Sequence, residues 1–457
     1  MKITSPADGA LLGELAWFDV ADVEPMVAAA REAFSTWRSV APHARAAILR
    51  RAAAALDARA EELGNLHAAE SGKVLGQAIG EVRGAAALID ANANLALTAT
   101  GEVAPTGAVP RTERDLTIVE RVPLGVVVCV IPFNFPVELT VEKAAAALAA
   151  GNVVIVKPPP QNPLATAETV AVLNEAGLPP GVLQLAPGGT DVAAALCSAD
   201  GVDAVSLTGS VGAGVAVARA TATTLRPLHL ELGGNGAAIV LPGSGDLDGY
   251  LDHVTAETLA GRLLMNGQAC AATKRVLAVG DTAGPLIDAT AAERVAAQVG
   301  RAVADGGRLA LGSGEADRAW FEPTVLAEVP ADAAVAVDDE IFGPVVTVVP
   351  VPDVASAVAV ANATSLRLTA SVFGEGVGEM LAVAEQLDFG GVVVGGTNNY
   401  RPAVVPFGGV GLAGAGREGI GYAYEELTRT RFIAFRNLRP APAVIPDAPP
   451  PEAGGHG

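Results

Sequence analysis

Cys270 lies in the window Asn266-Gly-Gln-Ala-Cys-Ala-Ala-Thr-Lys274, where the flanking side chains are small or polar. A thiol is a strong nucleophile once deprotonated, and helix amides or nearby cations lower its pKa. Such surroundings suit a cysteine open to a substrate channel. The competing reading is a small buried hydrophobe, which free cysteines commonly are. Cys129 sits inside an apolar strand and Cys197 on a helix, and both read as core. Glu231 stands between two leucines in His229-Leu-Glu-Leu-Gly-Gly-Asn235. Burial there would raise its pKa towards the range of a general base. The alternative is a capping or ion-paired Glu at a junction. The glycine-rich stretch Thr208–Gly214 and Lys157 could meet phosphate or ribose oxygens, although a lone glycine-rich turn is weakly specific.

The elements that must position these residues are legible in outline. Asp22 is placed to cap a helix with apolar residues at Val23, Met26, Val27, Ala30, Phe34 and Trp37. Helical pattern continues to about Ala96, with Arg and Glu expected on the solvent side. Gly125–Pro132 is a continuous apolar, β-branched run, the mark of a strand covered on both faces. A helix from about Glu138 to Ala150, a strand at Val153–Val156, a helix at Ala165–Ala176 and a strand at Val182–Leu185 follow. A helix at Asp191–Cys197 and a strand at Val205–Leu207 continue the alternation, which implies βαβ units and a parallel sheet. Asn134, Lys157 and Ser210 fall at carboxyl ends of these strands, where such sheets bind ligands. A second α/β pattern runs from about Ala237 to Gly411, Thr430–Asn437 reads as a strand, and Pro440–Gly457 reads as a disordered tail.

The bulk numbers narrow the class. The chain has 457 residues, enough for more than one core, and is 51% hydrophobic. A formal charge of −20 argues against a sequence-independent grip on nucleic acid. No apolar run reaches the roughly 20 residues of a membrane helix, and Met1–Pro6 has no signal-peptide core. Three unpaired cysteines argue against disulfides, which makes a reducing cytoplasm the expectation, and five scattered histidines give no support for a metal centre.

Taken together, several windows resemble the aldehyde dehydrogenase superfamily. They are Ile131-Pro-Phe-Asn-Phe-Pro136, Gly151-Asn-Val-Val-Ile-Val-Lys-Pro158, Thr208-Gly-Ser210, Leu230-Glu-Leu-Gly-Gly234 and Gly267-Gln-Ala-Cys270. Glu340-Ile-Phe-Gly-Pro344, Pro406-Phe-Gly-Gly409 and Gly416-Arg-Glu418 follow in the family's order, so the resemblance spans about Asp22 to Asn437. It implies an α/β fold with a Rossmann-like cofactor domain (1–110 and 123–235), a catalytic domain (236–411) and a bridging β element (111–122 and 428–438). That element would drive assembly into a homodimer or homotetramer. The resemblance makes Cys270 the nucleophile, Asn134 with the Cys270 amide the oxyanion donors, and Glu231 the base that activates water. Lys143 and Glu418 match positions of a proton relay behind that base. Ile131, Pro132, Phe133, Lys157, Pro160, Gly209, Ser210, Gly233, Glu340 and Phe342 fall on the cofactor side, with Glu340 at the nicotinamide ribose. Phe135, Ala269, Tyr400 and Phe407, with Leu264 and Arg401 nearby, would line the substrate pocket.

Lys157-Pro-Pro-Pro160 and Cys270-Ala-Ala-Thr-Lys-Arg275 look nearest to the non-phosphorylating glyceraldehyde-3-phosphate and lactaldehyde dehydrogenase branch. NAD-preferring relatives commonly carry a Glu at the position of Pro160. Its absence would let Lys157 meet a 2′-phosphate, so NADP as well as NAD is implied. The phosphate-handling relatives have an Arg before the Cys and a Tyr after the Asn. Here Ala269 and Phe135 stand there, implying an unphosphorylated small-molecule aldehyde and a more apolar mouth. Two other functions fit the same windows: a coenzyme-A-acylating dehydrogenase, which Glu231 argues against, and a catalytically silent cofactor-binding protein.

Overall fold

The computed structural model describes residues 1–241, 246–275, 284–285 and 288–440. The expected tail, Pro440–Gly457, lies outside the described residues beyond Pro440 itself. Four helices, Val23–Trp37, Pro42–Ala58, Ala60–Ser71 and Leu75–Thr98, pack first. The helix from Val23 buries Val23, Val27, Ala30, Ala33 and Trp37, the face its spacing predicts. Asp22 occupies the position before this helix but does not cap it. Its carboxylate instead accepts from the Asp19 amide at 2.8 Å, closing a preceding short turn. The expectation that Arg and Glu here face solvent fails at Arg45, Glu70 and Glu81, all buried. Each is sequestered because it closes another element. Arg45 donates to Ala149 O at 3.1 Å, and Glu70 accepts from the amides of Leu164 and Ala165, capping the helix Leu164–Glu175.

The first sheet has the parallel order Leu228–Glu231, Ala204–Thr208, Val126–Val130, Val153–Lys157, Leu183–Leu185, with Gly414–Ala415 antiparallel at one edge. Counted along the chain this is 3-2-1-4-5 read from the far edge, a doubly wound sheet of five parallel strands. The order reverses between Val126–Val130 and Ala204–Thr208, so a crevice opens beyond their carboxyl ends. Residues Val126 to Cys129 and Val153 to Val156 are completely buried, as continuous Val/Ile runs require when helices cover both faces. Cys129 and Cys197 are fully buried in this core.

Gly125 opens the first strand with φ +141°, and a Cβ there would collide with the Asp203 carboxylate. That carboxylate accepts from Val126 N at 2.8 Å and pairs with Arg31, so it cannot withdraw cheaply. Gly125→Ala is therefore expected to lose about 1–3 kcal/mol from backbone strain alone, seen as a lower melting temperature. An unchanged melt would contradict this.

A second sheet runs Arg308–Leu311, Thr324–Ala327, Val345–Thr347, Thr273–Arg275, Gly236–Val240, Thr369–Phe373, Gly391–Val394, parallel except at its first strand. Leu116–Pro123 pairs antiparallel with Thr428–Phe435 over eight residues, and Glu102–Val103 adds a third strand. The expected start of that ribbon at Arg111 is not observed. Residues 111–115 form a turn, with Arg111 at φ 77° and Thr112 N bonded to Val109 O. Among the described residues, no helix is long and apolar enough to cross a membrane.

Candidate active site

The chain reaches Cys270 through a tight left-handed turn. Met265 and Asn266 have φ of 51° and 53°, and Gly267 follows at 79°. Non-glycine residues avoid this region, and strain of this kind gathers at functional sites. Three contacts hold the turn. Met265 N donates to Gln77 Oε1 at 3.0 Å, and the Asn266 side chain donates to Gly72 O at 2.9 Å. The fully buried Arg262 donates to Gly267 O at 3.4 Å, Ile341 O at 3.0 Å and Gly343 O. Gly267 lies so close to Gly343 that a side chain would overlap its carbonyl. One guanidinium thus fastens the cysteine loop to the Glu340-Ile-Phe-Gly-Pro344 loop.

Asn134 leaves the switch-point strand Val126–Val130 and is buried. Its Nδ2 donates to Gln268 O at 2.8 Å, two residues before Cys270, and its Oδ1 accepts from Phe135 N at 3.1 Å. These bonds fix the amide plane against the cysteine loop. An amide nitrogen has two donors, so the second remains for an oxygen on substrate. Cys270 is half-buried, packed with Ala271, Leu368, Phe407 and Ala413. Burial pushes its thiol up to about 11, opposed by Lys274 and Arg401 and reinforced by Glu340 and Glu231.

Glu231 ends the strand Leu228–Glu231 and is buried, yet neither carboxylate oxygen has a hydrogen-bond partner. Burial, reinforced by Glu418, holds its pKa well above the usual carboxylate value, against Lys143, Arg401 and Arg417. Behind it, Lys143 Nζ donates to Glu418 Oε1 at 2.6 Å and Arg401 Nη2 to Glu418 Oε2 at 2.6 Å. Burial alone would raise Glu418, but Lys143 and Arg401 outweigh it and bring it down to about 2. One carboxyl is thereby biased neutral and its neighbour charged, a separation that sorts proton-transfer roles.

On the sheet's open end, Lys157 is the last residue of its strand and buried. Burial lowers it to about 8, with Asp191 and Cys197 resisting. Ile131 is buried beside it, its amide bonded to Lys157 O at 3.0 Å, and Pro132 and Pro160 are half-buried. Ser210 caps the helix Val211–Thr221 through Ala213 N at 3.2 Å. Gly209 precedes it, and Gly212 in the first turn is exposed. Phe133 and Phe342 meet edge to face with centroids 6.0 Å apart. Glu340 accepts from Gly234 N at 3.2 Å, and Gly233 is so close that a Cβ would strike its carboxylate. A dinucleotide fits these groups: an exposed helix N-terminus for diphosphate, a buried cation and a carboxylate for ribose, and an aromatic edge.

The pocket residues divide. Phe407 is buried beside Cys270, Ala269 is buried, and Phe135 is half-buried with Lys73 Nζ 3.8 Å from its ring centroid. Leu264 is half-buried at the turn, whereas Tyr400 is 65% exposed. Its neighbour Arg401 turns inward instead, its guanidinium 4.2 Å from the Phe407 centroid and 3.7 Å from Glu138. Burial works against the charge of Arg401, but Glu418, Glu142 and Glu138 raise its pKa overall. These groups make the site more polar than Phe135 and Ala269 suggested.

Sequence reasoning missed the support for Asn134. Glu81 accepts from the amides of Val137 and Glu138 at 3.0 and 3.1 Å, capping the helix Pro136–Ala150, while its other oxygen meets His67 and Lys73. Nothing local marked it: the Ala-rich helix Leu75–Thr98 carries Glu81 as an ordinary charge.

With this geometry in place, likeness to known proteins becomes decisive. The sequence model of the aldehyde dehydrogenase family matches residues 1–283 and 277–433. The chain belongs to that family. It is 32% identical to a mitochondrial succinate-semialdehyde dehydrogenase of Arabidopsis thaliana, over 96% of this chain and 86% of the relative. It is 34% identical to a betaine aldehyde dehydrogenase of Cereibacter sphaeroides, over 95% and 93%. An NADP-dependent glyceraldehyde-3-phosphate dehydrogenase of Bacillus halodurans, solved with NADP, superposes with TM-score 0.90 at 29% identity, covering 95% of each chain.

Asn134→Ala is expected to lower turnover roughly 100- to 1000-fold, the loss typical of one oxyanion donor. Steady-state kinetics checks it, and a loss below about tenfold would remove Asn134 from that role.

Proposed function

We propose that this aldehyde dehydrogenase oxidises an unphosphorylated aldehyde to its carboxylic acid through a thioester on Cys270. The observation that carries the reading is Glu231: a buried carboxylate with no internal partner, in the same cluster of charges as the Cys270 thiol. A structural Glu would be bonded, whereas a base for a transient water must keep its oxygens available. The Cys270 thiolate attacks the aldehyde carbon, forming a C–S bond, and the carbonyl oxygen takes the negative charge. Asn134 Nδ2 and the Cys270 amide hold that oxygen. When bound, NAD or NADP supplies the hydride acceptor that converts the adduct to a thioester. Glu231 then takes a proton from water, whose oxygen attacks the thioester carbon. The C–S bond breaks, releasing the acid and restoring the thiolate. Lys143 and Glu418 hold the charge beside Glu231 and carry its proton away.

Lys157, Ser210 and the helix start at Val211 would hold the adenosine and diphosphate side, and Glu340 the ribose near Phe342. Pro160 in place of a carboxylate favours acceptance of NADP. The organisation into a cofactor domain (1–110 and 123–235), a catalytic domain (236–411) and a bridging element (111–122 and 428–438) belongs to this reading. So does a cytoplasmic homodimer or homotetramer. The exposed apolar side chains of Phe432, Ile433 and Phe435 on the ribbon support assembly there.

Absorbance at the reduced-nicotinamide band tests the function, with phosphorylated and unphosphorylated aldehydes and both cofactors in parallel. Signal with an unphosphorylated aldehyde is expected, with NADP used at least as well as NAD. Signal only with a phosphorylated aldehyde would overturn the pocket reading. None with either aldehyde unless coenzyme A is added would replace water by a thiol acceptor.

A further inference from the structure

Lys274 is buried within the second sheet, four residues after the nucleophile. An ammonium has three donors, and the structure gives this one three acceptors. They are Cys270 O at 2.8 Å, Gly234 O and Glu340 Oε1. Its Nζ also lies 5.5 Å from the centroid of the Phe342 ring. Each acceptor belongs to a different working segment: the cysteine loop, the glycine pair after Glu231, and the loop that carries Glu340 and Phe342. A methylammonium-like point charge suits this tripod, whereas a planar guanidinium fork would not.

We propose that Lys274 is a positioning residue that locks these three segments together and sets its cation against the loop that carries Cys270. The inference rests on Cys270 being the nucleophile. Four charged groups act on this thiol. Lys274 and Arg401 favour its ionised form, while Glu340 and Glu231 oppose it. Burial lowers the pKa of Lys274, an effect that its ion pair with Glu340 offsets only in part and that nearby Arg262 increases. Lys274 and Glu340 are thus opposing influences on one sulfur. Removing the lysine must raise the thiol pKa, and removing the Glu340 charge must lower it. A purely structural brace predicts damage of the same sign from both.

The test is alkylation of Cys270 by iodoacetamide in the full-length protein without added cofactor or aldehyde. The rate is followed between pH 6 and 10 by mass of the Cys270 peptide, with a thermal melt of each variant. Below the pKa, one unit corresponds to a tenfold change in thiolate. Lys274→Met is expected to slow alkylation at pH 8 about tenfold or more, and Glu340→Gln to speed it about threefold or more. Lys274→Arg should restore the charge but not the geometry. It should recover alkylation better than it recovers cofactor affinity, measured by fluorescence titration with NADP. Unchanged alkylation in folded Lys274→Met, or both neutral variants moving the same way, would overturn the proposal. Should Lys274→Met not fold, Glu340→Gln decides alone: faster alkylation supports the proposal, and unchanged or slower alkylation overturns it. Alkylation needs no turnover. Opposite shifts in a protein that oxidises no aldehyde would therefore count against the proposed reaction, not against Lys274.

Discussion

Cys270→Ala is expected to abolish aldehyde oxidation while leaving NADP binding and the melting temperature close to those of the parent. Removing a covalent nucleophile costs on the order of 10⁶-fold in turnover. The side chain contributes a few apolar contacts with Ala271, Leu368, Phe407 and Ala413 and is half-exposed, so the fold has little to lose. The groups assigned to the dinucleotide, Lys157, Ser210 and Glu340, hold their places through other bonds. Cys129 and Cys197 cannot substitute. Both are fully buried, and burial pushes each thiol up to about 12. Progress curves and cofactor titration on the variant check this, and residual oxidation above about a thousandth of the parent rate would contradict it.

Glu231→Gln is expected to separate the two halves of the reaction. The first turnover, which needs Cys270 and Asn134, should survive as a burst of reduced nicotinamide. The steady rate should fall by the 10²- to 10⁴-fold attributed to a general base. Glutamine keeps the shape and removes only the basic function. The parent's pH profile should carry the same signature. Because burial and Glu418 hold the Glu231 pKa above its ordinary value, the base is protonated, and idle, at low pH. Steady turnover should therefore rise with pH through that elevated pKa, and the rise should flatten in the glutamine variant. An unchanged steady rate or an unaltered profile would assign Glu231 a structural role.

The legible and illegible parts of the site differ in physical kind. Strands such as Val126–Val130 and Val153–Lys157 were readable because a strand buried on both faces must be apolar along its whole length. The cysteine, base and oxyanion windows were readable because their local composition is unusual: a carboxylate between leucines, a thiol among small polar groups. The strand order was not, since no residue pattern states which neighbour a parallel strand chooses. Nor were the buried charges. Glu81 looks like a solvent-facing position on an Ala-rich helix, Lys73 like one in a short connection and Arg262 like one near a helix end. Their burial is decided by partners far along the chain, such as the amides of Val137 and Glu138 or the carbonyls of Ile341 and Gly343. Arg401 shows the same limit at the pocket. The sequence sets it beside Tyr400 at the pocket, and only the packing of Phe407 and Glu418 turns one inward and leaves the other in solvent.

The central claim is that carbon becomes covalently bound to Cys270 and is released by water under the control of Glu231. Acid quenching during turnover, followed by mass analysis of the Cys270 peptide, tests it directly in the parent and in Glu231→Gln. The expected result is an acyl adduct on Cys270 only, dependent on cofactor and aldehyde together, scarce in the parent and abundant in the variant. An adduct on another residue, or none in the variant despite reduced nicotinamide being formed, would contradict the account.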